Sequence, residues 1–456
     1  MSTHVQGELF ERHDKEAVDA PLHVASPVPS KKLSAVCLFS SAGIGELGVE
    51  RAGISIQLAN EIVPLRAACY RHNFKHSEML EGDINNVKGD FISRAKELLQ
   101  DEELFLVYAT PPCQGMSSNG MGRLKWEISQ GRRLEEDERN RLIMPALEII
   151  KKLRPRWVLF ENVPGMRNTE IRVCDNSFEN IISYVEQQLG SDYVGCAEVV
   201  ACQDYGIPQL RKRLVTIYTR DENGKNYFRA NGGSFFSAKM KEKRQSLREA
   251  IGKLPRLDAT IGKNAAPDFH SQHYVPVMND RKYWWVENTR EGDTAFNNQC
   301  VNPECRYSEN PGHKDVQLDG KWVSSKEIPI YCKQCGELLP RPVVKNADGG
   351  YRLLKGFHSA YRRMKWDEPS RTLTQNFIYE ASDNKIHPDQ HRVLSIYEAM
   401  IIQTIDRYDY SFEASGKPMS AAKIAEVIGE SVPPYLIEKI CKMMIEVSGL
   451  YRNNMH

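Results

Sequence analysis

Between Leu33 and Thr219, short apolar runs alternate with stretches of helical periodicity, and this alternation constrains the fold more than any other feature of the chain. The runs "LSAVCLF", "SIQLANE", "LFLVYA", "RWVLFENV" and "RLVTIY" have the length of buried strands. Between them, "PLRAACYRHN", "FISRAKELL", "ERNRLIMPALEIIKKL" and "NIISYVEQQL" read as helices. Strands that alternate with helices need crossover connections, which predicts an α/β fold with a mostly parallel sheet. Ligands gather at the carboxyl ends of the strands in such sheets. Cys113 and Glu161 both fall at such ends.

The pattern changes near Tyr218. From there to about Pro369 the chain is rich in charges, aromatics and loop residues, and from "RVLSIYEAMIIQT" it turns helical again. The expected organisation is a leader at 1–32, a first domain at 33–219, a second domain at 220–385, and a segment at 386–456 that returns to the first. The leader is polar and proline-containing, has no apolar signal core, and is expected to be flexible. No run of about 18 apolar residues exists, so no membrane span is expected. Hydrophobic residues make up 41% of the chain, enough for a packed core. The formal net charge of +1 leaves room for opposite patches. The 11 cysteines are scattered, which favours reduced thiols and a metal site over a disulfide framework.

After the first strand comes "SSAGIGELG", where Gly43, Gly45 and Gly48 let the backbone turn tightly and approach a ligand. Glu61, at the end of the second strand, is placed to grip ribose hydroxyls, and Asp83 in "EGDI" could accept from an adenine amino group. Gly43 to Gly48 spell G-x-G-x-x-G, but that spacing alone is a weak sign of a phosphate-cradling helix start. The expected cofactor is one without phosphate, such as S-adenosylmethionine, rather than a dinucleotide; an ordinary tight turn is the bland alternative.

Cys113 follows two prolines, which fix the backbone and hold the side chain in place. Alone it reads as a small buried hydrophobe. Three other segments bear on it. Glu161 in "FENVPGM" leaves an apolar strand, and partial desolvation would favour its protonated form. Gln209, Arg211 and Arg213 in "QLRKR" alternate, so on a strand they share one face, and guanidiniums there suit carbonyl or phosphate oxygens. "GESVPP" at 429–434 is a turn before a helix.

Taken in order, Phe39 to Gly48, "PPCQ", "ENV", "QLRKR" and "GESVPP" resemble the motifs of the cytosine-C5 DNA methyltransferases. The resemblance covers about Ser34 to Thr219 and again Arg371 to Ile440, and "EPSRTLTQ" and "HPDQHRVLSIYEAMIIQT" resemble further family segments. It implies a Rossmann-like S-adenosylmethionine-dependent methyltransferase domain with a smaller, mixed target-recognition domain. In the family mechanism a cysteine thiolate adds to C6 of cytosine, which makes C5 nucleophilic towards the sulfonium methyl. Cys113 would be that nucleophile. Glu161 would hold N3 and the exocyclic amine, Arg213 would reach the base carbonyl, and Arg211 would brace the loop. All four are expected in the catalytic site, with Asn162 and Gln209 organising them. The target base must leave the duplex stack, so base flipping is implied.

By the same resemblance Phe39, Ser41, Ala42, Gly43, Ile44, Glu61, Ile62, Asp83, Ile84, Pro111, Glu430 and Val432 would meet the cofactor. Gln114, Ser117 and Gln209 would meet DNA, from a glycine-rich loop expected to close over it. Two residues depart from the family. Ser41 stands where glycine is usual, and Glu430 where asparagine is usual. A glutamate beside a carboxylate-bearing cofactor is electrostatically unhelpful, unless it points away or is neutralised.

Within the second domain, Cys300 and Cys305 are separated by four residues, and Cys332 and Cys335 by two. The two pairs resemble a zinc ribbon at 300–335, in which four thiolates close a structural tetrahedral site. His313 is a weaker candidate. The stretch from "QLRKR" to "GKLPR" is strongly basic and could neutralise phosphates. The expected partner is double-stranded DNA, the expected state a monomer in the bacterial cytoplasm at the nucleoid. Both a restriction-modification enzyme, with a cognate restriction endonuclease encoded nearby, and an orphan remain open. So do an RNA cytosine methyltransferase and a catalytically silent DNA-binding protein of the same fold; the intact Cys113, Glu161 and Arg213 set argues against the silent one.

Overall fold

The computed structural model of the protein describes residues 32–112, 137–174, 177–313, 315–318, 321–324, 328–354, 360–382 and 385–451. Cys113, Gln114, Ser117 and all but the last residue of the expected leader lie outside the described residues. Seven strands form the central sheet: β1 (Leu33–Leu38), β2 (Ile54–Glu61), β3 (Glu78–Glu81), β4 (Leu106–Ala109), β5 (Trp157–Asn162), β6 (Val194–Ala201) and β7 (Lys212–Thr219). Their order is β3-β2-β1-β4-β5-β7-β6. Strands β3 to β5 pair in parallel, and β7 runs antiparallel between β5 and β6. The predicted mostly parallel sheet is therefore present, with one reversed strand near an edge.

Strands β1, β4 and β5 are buried at every residue, as a sheet covered on both faces requires. Their side chains alternate between two apolar clusters. Ala35, Cys37, Leu106, Tyr108, Trp157 and Leu159 join one; Val36, Leu38, Val107, Ala109, Val158 and Phe160 join the other. The second face is covered by α3 (Ile84–Leu99), α4 (Ile143–Leu153) and α5 (Ile181–Leu189). The first is covered by α1 (Glu46–Arg51) and α2 (Pro64–Asn73), and by three late helices: α6 (Ile396–Ile402), α7 (Ala421–Glu430) and α8 (Pro434–Val447). The chain after 386 thus packs against the elements that open it.

Gly48 makes that return possible. A Cβ there would sit 2.2 Å from the Pro434 carbonyl oxygen and 2.6 Å from the Glu438 nitrogen, both backbone of α8. Backbone at that distance cannot rotate aside. We expect Gly48→Ala to lower stability by about 1–3 kcal/mol, the overpacking cost outweighing alanine's better helix propensity. Urea titration checks this; an unchanged midpoint would show that α1 and α8 separate freely.

A third apolar cluster, around Trp285, Phe296, Ile328, Val343 and Tyr361, is separate from these two. It is the core of a smaller unit, and it starts later than Arg220. Phe228, Phe235, Met240, Leu247 and Ile251 belong to the first sheet-facing cluster, and so do Trp366, Leu373 and Phe377. The basic stretch follows them: Lys239, Lys243, Arg244 and Arg248 each lie within 3 Å of a carboxylate, at 2.6, 2.9, 2.7 and 2.9 Å. These pairs are exposed and weak, but the run is not the bare cationic face that its composition suggested.

Candidate active site

The sheet order turns between β1 and β4, the point where an open α/β sheet offers a crevice at its carboxyl ends. A single cleft of about 1770 Å³ lies there. Its lining runs from Phe39, Glu61 and Asp83 at one end, past Pro111 and Pro112, to Glu161 and Arg213 at the other. Val432 and Glu430 close it from the C-terminal side.

The first end is shaped by the loop after β1. Phe39 (φ 61°), Ser41 (φ 51°) and Gly43 (φ 81°) all take left-handed backbone. Only glycine does so without strain, so Ser41 is held at a cost. Its N–H donates to Glu61 Oε2 at 2.7 Å, while the Val63 N–H donates to Oε1 at 2.8 Å. Glu61 is thereby fixed with one donor on each oxygen, and each oxygen keeps lone pairs for ribose hydroxyls. Asp83 caps α3 through Oδ1, which accepts from the Asn85 N–H at 2.9 Å. Ile62 is 57% exposed beside them, apolar surface that a purine would cover. Ile84, by contrast, is buried.

The residues fit S-adenosylmethionine better than a dinucleotide. The Ser41 hydroxyl is buried without a partner and so is the Tyr108 hydroxyl. A buried polar atom left so is costly unless a ligand completes it. Glu46 stands in the first turn of α1, where a pyrophosphate would have to sit. An acid there disfavours phosphate. Glu430 does not face the cleft as a lone charge: Arg66 from α2 reaches its Oε2 at 2.7 Å and Glu426 at 2.6 Å, and Gln375 donates to its Oε1. Of the ways in which an acid could be tolerated at this position, the structure shows neutralisation.

The second end joins β5 to β7. Val215 pairs with Glu161, and Arg213, two residues away, shares its face. The Arg213 Nε lies 2.6 Å from Glu161 Oε1. Burial pushes the Glu161 carboxyl above the usual carboxylate range, with Arg213 and Arg211 pulling the other way. Asn162 donates to the Pro111 carbonyl at 2.9 Å, and so ties the chain that enters Cys113 to the strand that carries Glu161. Thr110 Oγ1 ties the same chain to the Phe39 carbonyl at 2.9 Å.

The alternation of Gln209, Arg211 and Arg213 holds, since all three are buried while Lys212 is exposed. They do different work. Arg211 donates to the carbonyls of Leu373, Gly429 and Ser431 at 3.0, 3.0 and 2.6 Å, bracing two distant loops. Gln209 is fully buried; its amide donates to Gln403 Oε1 at 2.7 Å and accepts from the Leu373 N–H at 2.9 Å. Expected at the DNA, Gln209 has no surface in this structure with which to meet it. It organises these loops instead.

Sequence reasoning passed over Arg66, Tyr108, Gln375 and Glu46. Glu46 had a visible signal, an acid directly after "GIG" at a helix start. Arg66 becomes meaningful only through Glu430, 364 residues along the chain.

In the smaller unit, the four thiols meet. Cys300 and Cys335 have sulfurs 3.6 Å apart, Cys305 and Cys332 3.9 Å apart, and all four lie within 4.8 Å of one another. Zn–S bonds of about 2.3 Å in a tetrahedron put sulfurs about 3.8 Å apart. Arg306 (φ 48°) and Gly336 (φ 76°), each just after the second cysteine of a pair, give both turns the same hand. His313 is not in the group; its ring packs on Phe296 at 4.5 Å between centroids.

The family model for C-5 cytosine-specific DNA methylases matches residues 33–446. Among curated relatives, type II methyltransferase M1.HgaI of Avibacterium volantium is 29% identical over 90% of this chain and 98% of its own. Type II methyltransferase M.AgeI of Thalassovita gelatinovora is 23% identical over 89% and 97%. A prophage-encoded protein of E. coli, provisionally described as a DNA modification methyltransferase, superposes with a TM-score of 0.55 at 18% identity, covering 91% of this chain and 99% of that one. A mutant of Spodoptera frugiperda DNMT2 does so with a TM-score of 0.51 at 13% identity, covering 91% and 100%. At these identities the two superpositions are likenesses of fold.

Proposed function

The chain belongs to the C-5 cytosine-specific DNA methylase family and is a DNA cytosine-5-methyltransferase, and we propose that it uses S-adenosylmethionine and Cys113 to methylate a cytosine turned out of a specific duplex sequence. The observation that carries this reading is the continuity of the cleft: the Glu61 end and the Glu161–Arg213 end open into one space. Two ligands can then meet there without leaving the protein. When bound, S-adenosylmethionine supplies an electrophilic methyl group.

The chain's residues do the rest. Glu61 and Asp83 hold the adenosine, with Ile62 against the ring. Cys113 adds as thiolate to C6 of the base, and Asn162 fixes the chain that presents it. Glu161, kept protonated more readily by burial, donates to N3 as charge builds in the ring. Arg213 has its Nε on Glu161 and its Nη1 on the Lys212 carbonyl, which leaves Nη2 for the base carbonyl. Arg211 acts through the loops that it braces. Gln114 and Ser117 belong to the DNA side.

The smaller unit, within the 220–385 region, reads the target, and the four thiolates hold a structural zinc. Purified protein is expected to carry about one zinc per chain. Cys332→Ser should lose it and weaken DNA binding by at least roughly tenfold while cofactor affinity is kept. A folded, zinc-free wild type would defeat the site. No helix among the described residues is long and apolar enough to cross a membrane. The proposed setting is the bacterial cytoplasm, as a monomer on double-stranded DNA, with or without a companion endonuclease. Transfer of label from S-adenosyl-[methyl-³H]methionine to duplex DNA and not to transfer RNA tests the reading; label on RNA alone would overturn it.

A further inference from the structure

Glu46 is a buried carboxyl for which the reaction as described has no use. It is 3% exposed, yet it lines the cleft, between the Glu61 end and the Glu161 end. Beside it stands Tyr108, 1% exposed and with a hydroxyl that has no partner; a Cβ on Gly45 would lie 2.5 Å from that hydroxyl. The Ser40 hydroxyl reaches the Glu46 carboxyl, but among the described residues no cation pairs with it, so no charge accounts for its burial. Strand β1 ends between β2, which carries Glu61, and β4, which leads to Cys113. The methyl donor must span that interval, so the part between its adenosine and the base lies over the start of α1.

On the reading that the cofactor is S-adenosylmethionine, we propose that Glu46 is the group that recognises its cationic methionyl end. The carboxylate faces the ammonium and the sulfonium from the cleft floor, and Tyr108 supplies a hydroxyl to the same end. A charge pair in a site with little water is stronger than on a surface. The groups facing Glu46 are Cys37 from β1, Glu61 from β2, Tyr70 from α2, Tyr108 from β4 and Tyr410 from the C-terminal part; none is a cation. Burial pushes the Glu46 carboxyl up to about 8, with the Ser40 hydroxyl pulling the other way and Glu61 adding to the rise. At neutral pH the empty site therefore holds a proton there. A cation arriving beside it expels that proton to solvent, so binding must tighten as pH rises towards about 8 and level off above it.

Calorimetric titration of the full chain with S-adenosylmethionine, in two buffers of unlike ionisation enthalpy, tests this beside Glu46→Gln. In the two pH units below 8, wild-type affinity should rise over that of Glu46→Gln by roughly tenfold per unit, with nearly one more proton released. The cofactor's own amine titrates near this range and cancels in the comparison. S-adenosylhomocysteine, which lacks the sulfonium, then separates the two cations: an equal effect assigns the ammonium, a lost one the sulfonium, and both support the proposal. Equal pH dependence in wild type and variant overturns it, and so does wild type that releases no proton near pH 7, a result that stands even if the variant fails to fold. No binding of S-adenosylmethionine by wild type at any pH would instead strike the cofactor reading itself, and this inference with it.

Discussion

Cys113→Ser should cost roughly 10⁴-fold or more in methyl transfer while cofactor and DNA affinities stay near wild type. The reason is chemical. Cytosine C5 is a poor nucleophile until C6 carries a substituent, and a serine hydroxyl at neutral pH does not supply the anion that a thiol does. Binding does not depend on that bond. In the proposed site Glu61, Asp83 and the left-handed loop at Ser41 and Gly43 hold the cofactor end, apart from the thiol. A rate loss below about tenfold would mean that another group attacks C6.

Glu161→Gln is expected to lower the rate by about 10²–10⁴-fold, the range of a positioned proton donor. Glutamine keeps the size and can form neutral hydrogen bonds to the base, but it holds no proton to share as charge develops at N3. Arg213 would also lose its buried partner, which costs stability, up to about 3–5 kcal/mol when such a pair is broken. Melting and rate therefore need to be measured together. The sign of the pH effect is fixed by burial. The Glu161 carboxyl is raised, so wild-type rate should fall as pH climbs through its folded pKa and the donor is lost. Glu161→Gln should lack that alkaline limb. If its profile keeps the limb, the titrating group is a different one.

Much of the sheet was legible because its strands are short, apolar and buried on both faces. The helix expected at "PLRAACYRHN" is Pro64–Asn73, and the strand expected at "RLVTIY" lies inside β7. What escaped was structure whose local pattern is ambiguous. β6, "VGCAEVVA", is an edge strand of mixed burial with no clean alternation. The hairpin of Glu170–Cys174 with Ser177–Asn180 is too polar to announce itself. Helix α3 starts seven residues before the apolar stretch that predicts it, because Asp83 caps it at the site. The first turn of "ERNRLIMPALEIIKKL" is a 3₁₀ turn, and α4 begins at Ile143.

At the site, residues carried by short motifs were visible and residues defined by distant partners were not. The "QLRKR" alternation located a buried face, but periodicity cannot tell an arginine that meets a base from one that braces backbone carbonyls. Only the geometry gives Arg211 to Leu373, Gly429 and Ser431, and Arg213 to Glu161. The departure at Glu430 looked like a defect in the sequence because its remedy, Arg66, comes from another helix. The four thiols, by contrast, were legible, since two close pairs need only a common turn to meet.

In the proposed mechanism Cys113 attacks C6 of a cytosine held by Glu161 and Arg213. Duplex DNA of mixed sequence, prepared with 5-fluorocytosine in place of cytosine, tests it without knowledge of the target. Fluorine at C5 cannot leave as a proton does, so the enzyme that has added to C6 and transferred its methyl stays attached. Incubation with S-adenosylmethionine should give a denaturation-resistant protein–DNA adduct that maps to Cys113 and disappears in Cys113→Ser. No adduct, or one that maps to another residue, would rule out Cys113 as the nucleophile.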